Sequence, residues 1–177
     1  EDFQFIQEFI IINDIDSIST EIFDNVTWVP SDSINDYAQH VLRIKKIEWN
    51  DKNISKIPEQ IGFLDSLHWL ELENNIIDTI PGTIGSLLKL EYLQLYNNKL
   101  AALPEGIGYL NNLRELYIHK NVLDTLSFSF ESLTSLKEFW VQKNNITALP
   151  SSLCDLIDVS LPSSAFYYYE NKICTSE

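Results

Sequence analysis

Leu67, Leu90, Leu113 and Leu136 stand 23 residues apart, and the residues around them repeat. Aligned on these leucines, the chain reads LHWLELENNIIDTIPGTIGSLLK, LEYLQLYNNKLAALPEGIGYLNN, LRELYIHKNVLDTLSFSFESLTS and LKEFWVQKNNITALPSSLCDLID. One period earlier, from Ile44, it reads IKKIEWNDKNISKIPEQIGFLDS. A fixed period of this length marks a stacked-repeat protein. One unit cannot cover its own apolar side, so neighbouring units must stack and share a continuous core.

Each unit follows L-x-x-L-x-L-x-x-N-x-L-x-x-L-P-x-x-I-G-x-L. The L-x-L segment alternates as a short strand does, burying Leu70 and Leu72 while the residues between them face out. Asn75, Asn98, Asn121 and Asn144 recur at the ninth position, where the chain leaves the strand. A buried amide there can satisfy backbone groups of the adjacent turn, so these four are expected to form a structural ladder. Pro58, Pro81, Pro104 and Pro150 open the second half of their units. In the first unit Lys52 takes the Asn position. In the fourth, Ser127 replaces Pro and Phe130-Glu131 replaces Ile-Gly, so a different shape is expected there.

The pattern resembles the leucine-rich-repeat family in its 23-residue L-P-x-x-I-G form, over residues 44–158. The resemblance implies an α/β solenoid, a right-handed coil with a curved parallel β-sheet on its concave face. Five repeats (44–66, 67–89, 90–112, 113–135 and 136–158) would lie between an N-terminal cap at 1–43 and a C-terminal cap at 159–177.

An open solenoid exposes apolar side chains at both ends, so caps are required. Phe3, Ile6 and Ile10 have helical spacing, and Phe5, Phe9 and Ile12 widen the stripe. A helix on the first repeat is expected, followed by an extended Val26-Thr27-Trp28-Val29; the stripe could instead serve as a partner-binding face. The same region, residues 1–42, holds nine acidic side chains and no Lys or Arg, whereas the rest holds 17 acidic and 12 basic residues. Met is absent even at position 1, so an upstream portion is expected to have been removed. Phe3 to Ile12 has no preceding basic residue and is not a signal h-region.

Cys154 and Cys174 are the only cysteines, and by position alone they are either one clamp or two separate thiols. A cysteine pair straddling a last truncated unit, here read at Tyr169 to Ile173, resembles the C-terminal cap of secreted bacterial leucine-rich-repeat proteins. That resemblance implies a Cys154–Cys174 bridge, worth on the order of 3 kcal/mol by loop closure.

Catalysis finds little support. No H-x-x-x-H, C-x-x-C or G-x-S-x-G occurs, and the five glycines form no phosphate loop. Glu48 and Glu71 share the fifth position of adjacent repeats, about 4.8 Å apart by strand spacing. On an open sheet they read as an acidic patch rather than an acid–base pair. No enzyme activity, cofactor or metal is expected. The formal net charge of -14 works against nucleic acids and anionic membranes, and no apolar run is long enough to span a bilayer.

Binding has better support. Outward positions of the sheet are the third, fifth, seventh and eighth of each unit, and Trp69, Tyr92, Tyr96, Tyr117, Trp140 and His119 fall there. Such rings are typical of interface centres, although they also stack across strands. Glu71, Glu73 and Gln94 complete the candidate ligand face. Glu48, Asp51, Glu71 and Glu73 make its N-terminal end acidic, and Lys120 and Lys143 make the other end basic.

The expected function is a non-enzymatic recognition or adhesion module, monomeric and secreted or cell-surface, holding a protein or glycan on the concave face. The alternative implied by the same family is a cytosolic signalling scaffold for a GTPase or phosphatase. Three N-x-[ST] sites at Asn25, Asn53 and Asn145 do not separate the two.

Overall fold

The structure, a computed structural model, describes residues 5–9, 26–30, 42–159, 161 and 165–173. Seven strands form one sheet in chain order. They are β1 (Val26–Pro30), β2 (Leu42–Glu48), β3 (Trp69–Glu71), β4 (Tyr92–Gln94), β5 (Glu115–Tyr117), β6 (Glu138–Trp140) and β7 (Phe166–Tyr167). β1 pairs antiparallel with β2, and β2 to β7 run parallel. The register joins like positions of successive repeats: Lys46, Trp69, Tyr92, Glu115 and Glu138 lie side by side. This is the parallel solenoid that the 23-residue period requires.

The alternation sets the core. Leu93, Leu95, Leu116 and Ile118 are fully buried, and Leu70 and Leu72 nearly so. Behind the sheet, 3-10 helices form at Glu59–Phe63, Gly82–Ser86 and Glu105–Tyr109, each preceded by a proline in extended conformation. Proline's fixed φ suits that turn and its missing N–H costs nothing there. The fourth unit has no 3-10 helix. With Ser127 in place of Pro, its segment instead buries Phe128 and Phe130, whose rings lie 4.6 Å apart. The fifth unit closes with an α-helix, α1 (Ser151–Val159). Neighbouring turns pack so closely that a Cβ on Gly106 would sit 2.5 Å from the Gly82 carbonyl oxygen.

The Asn ladder is present. The Asn98 Oδ1 accepts from the Ile77 N–H at 3.0 Å, and its Nδ2 donates to the Leu72 and Leu95 carbonyls. Asn75, Asn121 and Asn144 repeat this pattern, so each amide ties two successive turns together.

At the N-terminal end, residues 5–9 are helical and bury Phe5, Ile6 and Phe9. Phe9 meets Trp49 of the first repeat at 4.2 Å between centroids, and Phe5 stacks on it at 6.0 Å. Phe3, Ile10 and Ile12 lie outside the described residues. The extended segment expected at Val26 to Val29 is β1.

At the other end the sequence reading needs correction. The truncated strand-and-Asn unit expected at Tyr169 to Ile173 starts earlier, since its strand is β7 at Phe166–Tyr167, which extends the parallel sheet by one more strand. Asn171 takes the ladder position behind it, accepting from the Ile146 N–H and donating to the Val141 and Tyr168 carbonyls. Cys154 is a free, exposed thiol on α1, and the partner expected for it, Cys174, lies outside the described residues. Among the described residues, no helix is long and apolar enough to cross a membrane.

A candidate binding face on the concave sheet

The eighth residue of each repeat turns the chain off the sheet. Asp51, Asn74, Asn97, Lys120 and Lys143 all adopt φ between 54° and 60°, and so does Glu170 at 54°. Among residues with a side chain, Asn is one of those that tolerate this left-handed region best, and Asn97 Nδ2 also donates to Asn74 Oδ1 at 2.8 Å. The sharp turn leaves the third, fifth and seventh positions standing on a short ledge of strand.

The rings on that ledge fall into two groups. Trp69 and Tyr92 stack at 5.4 Å with 7° between their planes, and the Lys45 ammonium lies 5.4 Å from the Trp69 centroid. Further along, Tyr117 meets Trp140 edge-on at 5.0 Å, Trp140 meets Tyr167 at 4.8 Å, and Tyr96 stacks on His119 at 4.5 Å. His119 also touches Trp140, which closes the second group. Among the described residues, no ring contact joins the two groups.

All six sequence-predicted rings point outward, but they cover one another. Trp69, Tyr92, Tyr96, Tyr117 and Trp140 are half-buried rather than open, and Gln94 and Glu71 are likewise half-buried. Glu73 and His119, expected to be accessible, are only 9% exposed, because flanking side chains close over the seventh-position row. Gln142 in the same row is 5% exposed.

The electrostatics also differ from the expectation. The Lys46 ammonium bridges Glu48 at 2.9 Å and Glu71 at 3.1 Å, which neutralises part of the acidic patch expected there. Burial works against that ammonium, but the hydrogen bonds and charges of both carboxylates outweigh it and raise its pKa. Burial raises the Glu73 pKa, with Glu71 and Asp51 adding to it and the Tyr96 hydroxyl bond partly opposing. Burial also lowers His119 to about 4, helped by Lys120 and Lys143, so its ring is neutral at pH 7. Lys143 pairs with Glu170 at 3.6 Å, which weakens the basic end. In the middle of the face, the Tyr117 hydroxyl lies 2.7 Å from Glu115 and 2.8 Å from Glu138. Burial and these two carboxylates push the phenol far above its ordinary range.

Among the described residues, five buried polar atoms on this face find no hydrogen-bond partner: Asn50 Oδ1, Glu73 Oε2, His119 Nδ1, Gln142 Oε1 and Trp140 Nε1. Four belong to the seventh-position row. Buried polar atoms are normally paired, so a row of unpaired ones is unusual. Among the described residues, no group of three or more His, Cys, Asp or Glu could hold a metal ion.

Sequence reasoning missed Tyr167 and Tyr169. Tyr167 stands beside Trp140, and the Tyr169 carbonyl accepts from the Lys143 N–H as Gln142 does from Lys120. Asn171 carried the signal, since counting back four and two residues from each ladder Asn reaches the fifth and seventh positions.

A family model described as leucine-rich repeat region matches residues 31–160. No curated protein matches the chain. Among solved structures, the leucine-rich-repeat ectodomain of the receptor kinase SOBIR1 from Arabidopsis thaliana is similar with a TM-score of 0.76 and 21% identity. That likeness covers 97% of this chain and 93% of SOBIR1's. The GASSHO1/SCHENGEN3 ectodomain from Arabidopsis thaliana, in complex with CASPARIAN STRIP INTEGRITY FACTOR 2, gives 0.70 at 20% identity, over 97% of this chain and 21% of that one. The plant peptide hormone receptor RGFR1, in complex with RGF2, gives 0.55 at 27% identity over 67% of this chain. This chain spans only 19% of that receptor.

Proposed function

Because the chain belongs to the leucine-rich-repeat family, we propose that it is a non-enzymatic recognition module that holds a protein or peptide on its concave sheet. The observation that carries this reading is the Tyr96, His119, Trp140, Tyr117 and Tyr167 cluster, set beside buried polar atoms that find no partner among the described residues. Rigid rings lose little side-chain entropy on binding, and unpaired polar atoms favour a partner that completes them. The complexes of RGFR1 with RGF2 and GASSHO1/SCHENGEN3 with its factor show receptors of similar fold with bound partners. Selection from a random peptide display library tests the reading. Sequences enriched on the wild type should be lost on Tyr96→Ala and Trp140→Ala; sequences retained equally by both variants would move the site to the caps.

For location, the reading is extracellular, with Cys154 and Cys174 bridged. The second reading, a cytosolic scaffold, has both thiols reduced. Thiol titration of unreduced protein decides: no reactive thiol supports the first, and two support the second.

A further inference from the structure

The acceptors on the concave face outnumber its donors. Of the five unpartnered buried atoms, the Glu73 carboxylate oxygen accepts when ionised, and Asn50 Oδ1 and Gln142 Oε1 are carbonyl oxygens. His119 Nδ1 also accepts when the neutral ring carries its proton on Nε2. The indole N–H of Trp140 is the one donor. A partner that satisfies this row must bring hydrogen-bond donors, which the N–H-rich side chains of arginine and lysine supply.

The unpaired carboxylates of the face point the same way, against the nearby Lys120 and Lys143. Glu115 and Glu138 share the Tyr117 hydroxyl, whose single proton serves one carboxylate at a time. Among the described residues, neither they nor Glu73 make an ion pair, in contrast to Glu48 and Glu71, which Lys46 neutralises. Tyr96 and Tyr117 lie between these two acidic points, with Trp140 beside Tyr117 on the next strand, and offer flat surfaces suited to a guanidinium plane. From strand spacing and rise, Glu73 and Glu115 are about 16 Å apart, a span that an extended chain crosses in about five residues.

We infer that the concave face takes an extended cationic peptide segment, with arginine or lysine side chains reaching Glu73 and the Glu115–Glu138 pair; this rests on the reading that the face binds a peptide. A second copy of the chain is disfavoured as occupant, because two molecules of net charge -14 repel.

The test uses labelled Gly-Ser peptides of roughly ten residues, carrying two arginines about five apart, with twins in which citrulline or glutamate replaces arginine. Fluorescence anisotropy should show the arginine peptide binding at least about tenfold more tightly than either twin. The Glu115→Gln/Glu138→Gln double variant should lose at least about tenfold, with an unchanged melting curve, and added salt should weaken wild-type binding. Glu73→Gln should do likewise, and if it fails to fold, the partly exposed pair alone decides. No binding of the arginine peptide, or equal binding of the citrulline twin, overturns the cationic assignment. If neutral or acidic peptides then bind and Trp140→Ala abolishes that binding, the peptide-binding reading survives without it. If the arginine peptide binds Tyr96→Ala and Trp140→Ala as tightly as wild type, both readings fall.

Discussion

The imidazole of His119 lies nearly parallel to the Tyr96 ring, with centroids 4.5 Å apart and 10° between the planes. Burial of the ring between Tyr96 and Trp140, with Lys120 and Lys143 nearby, disfavours the charged imidazole and lowers its pKa from 6.5 to about 4. Between those values the unfolded chain binds more protons than the folded one, so stability should fall as pH drops from about 6.5 to about 4. The contribution is complete above the upper value and on the order of 2 kcal/mol. Glu73, whose pKa is raised, adds a slope of opposite sign above its ordinary 4.5. Urea denaturation of wild type and His119→Gln across this window isolates the imidazole. Parallel curves would show that the ring is not held neutral.

Leu95 is fully buried at the sixth position, between two turns of the solenoid. Leu95→Ala should cost about 2 to 5 kcal/mol, since stacked repeats leave little room to collapse around the cavity. A chemical denaturation midpoint that does not move would contradict the packing.

Asn98 ties three backbone groups of two turns. Replacing it with Ala leaves them buried and unpaired, so destabilisation of roughly 1 to 3 kcal/mol is expected. A neutral melting curve for Asn98→Ala would undo the ladder's structural role.

The repeat period made the direction of the strand side chains from Ile44 to Val141 legible, because a strand register leaves only two faces. Leu93, Leu95 and the ladder Asn residues follow from that alone. What the period does not encode is how far neighbours close over an outward residue. Glu73 and His119 point the right way, yet rings from the next strand cover them. The period also fails where the spacing changes. From Asn144 to Asn171 is 27 residues instead of 23, so β7, Tyr167 and Tyr169 fall out of register with the simple count.

Gly82 and Gly106 make a controlled comparison. A Cβ on Gly82 meets nothing within 4 Å, whereas one on Gly106 meets the Gly82 carbonyl oxygen at 2.5 Å and the Gly85 nitrogen at 3.0 Å. Gly82→Ala should be neutral or stabilise by up to about 1 kcal/mol through the unfolded chain. Gly106→Ala should destabilise by about 1 to 3 kcal/mol, because backbone rather than a flexible side chain must shift. Equal thermal shifts for the two variants would mean that the convex turns are not in close contact.

The concave face is tested most directly at Trp140, which touches Tyr117, His119 and Tyr167 and carries an unpaired indole N–H. Calorimetric titration of one display-selected peptide into wild type and Trp140→Ala measures its weight in binding. A weakening of about 2 kcal/mol or more, roughly thirtyfold, is expected with the fold intact by circular dichroism. Equal affinity for the two proteins would contradict the concave-face account.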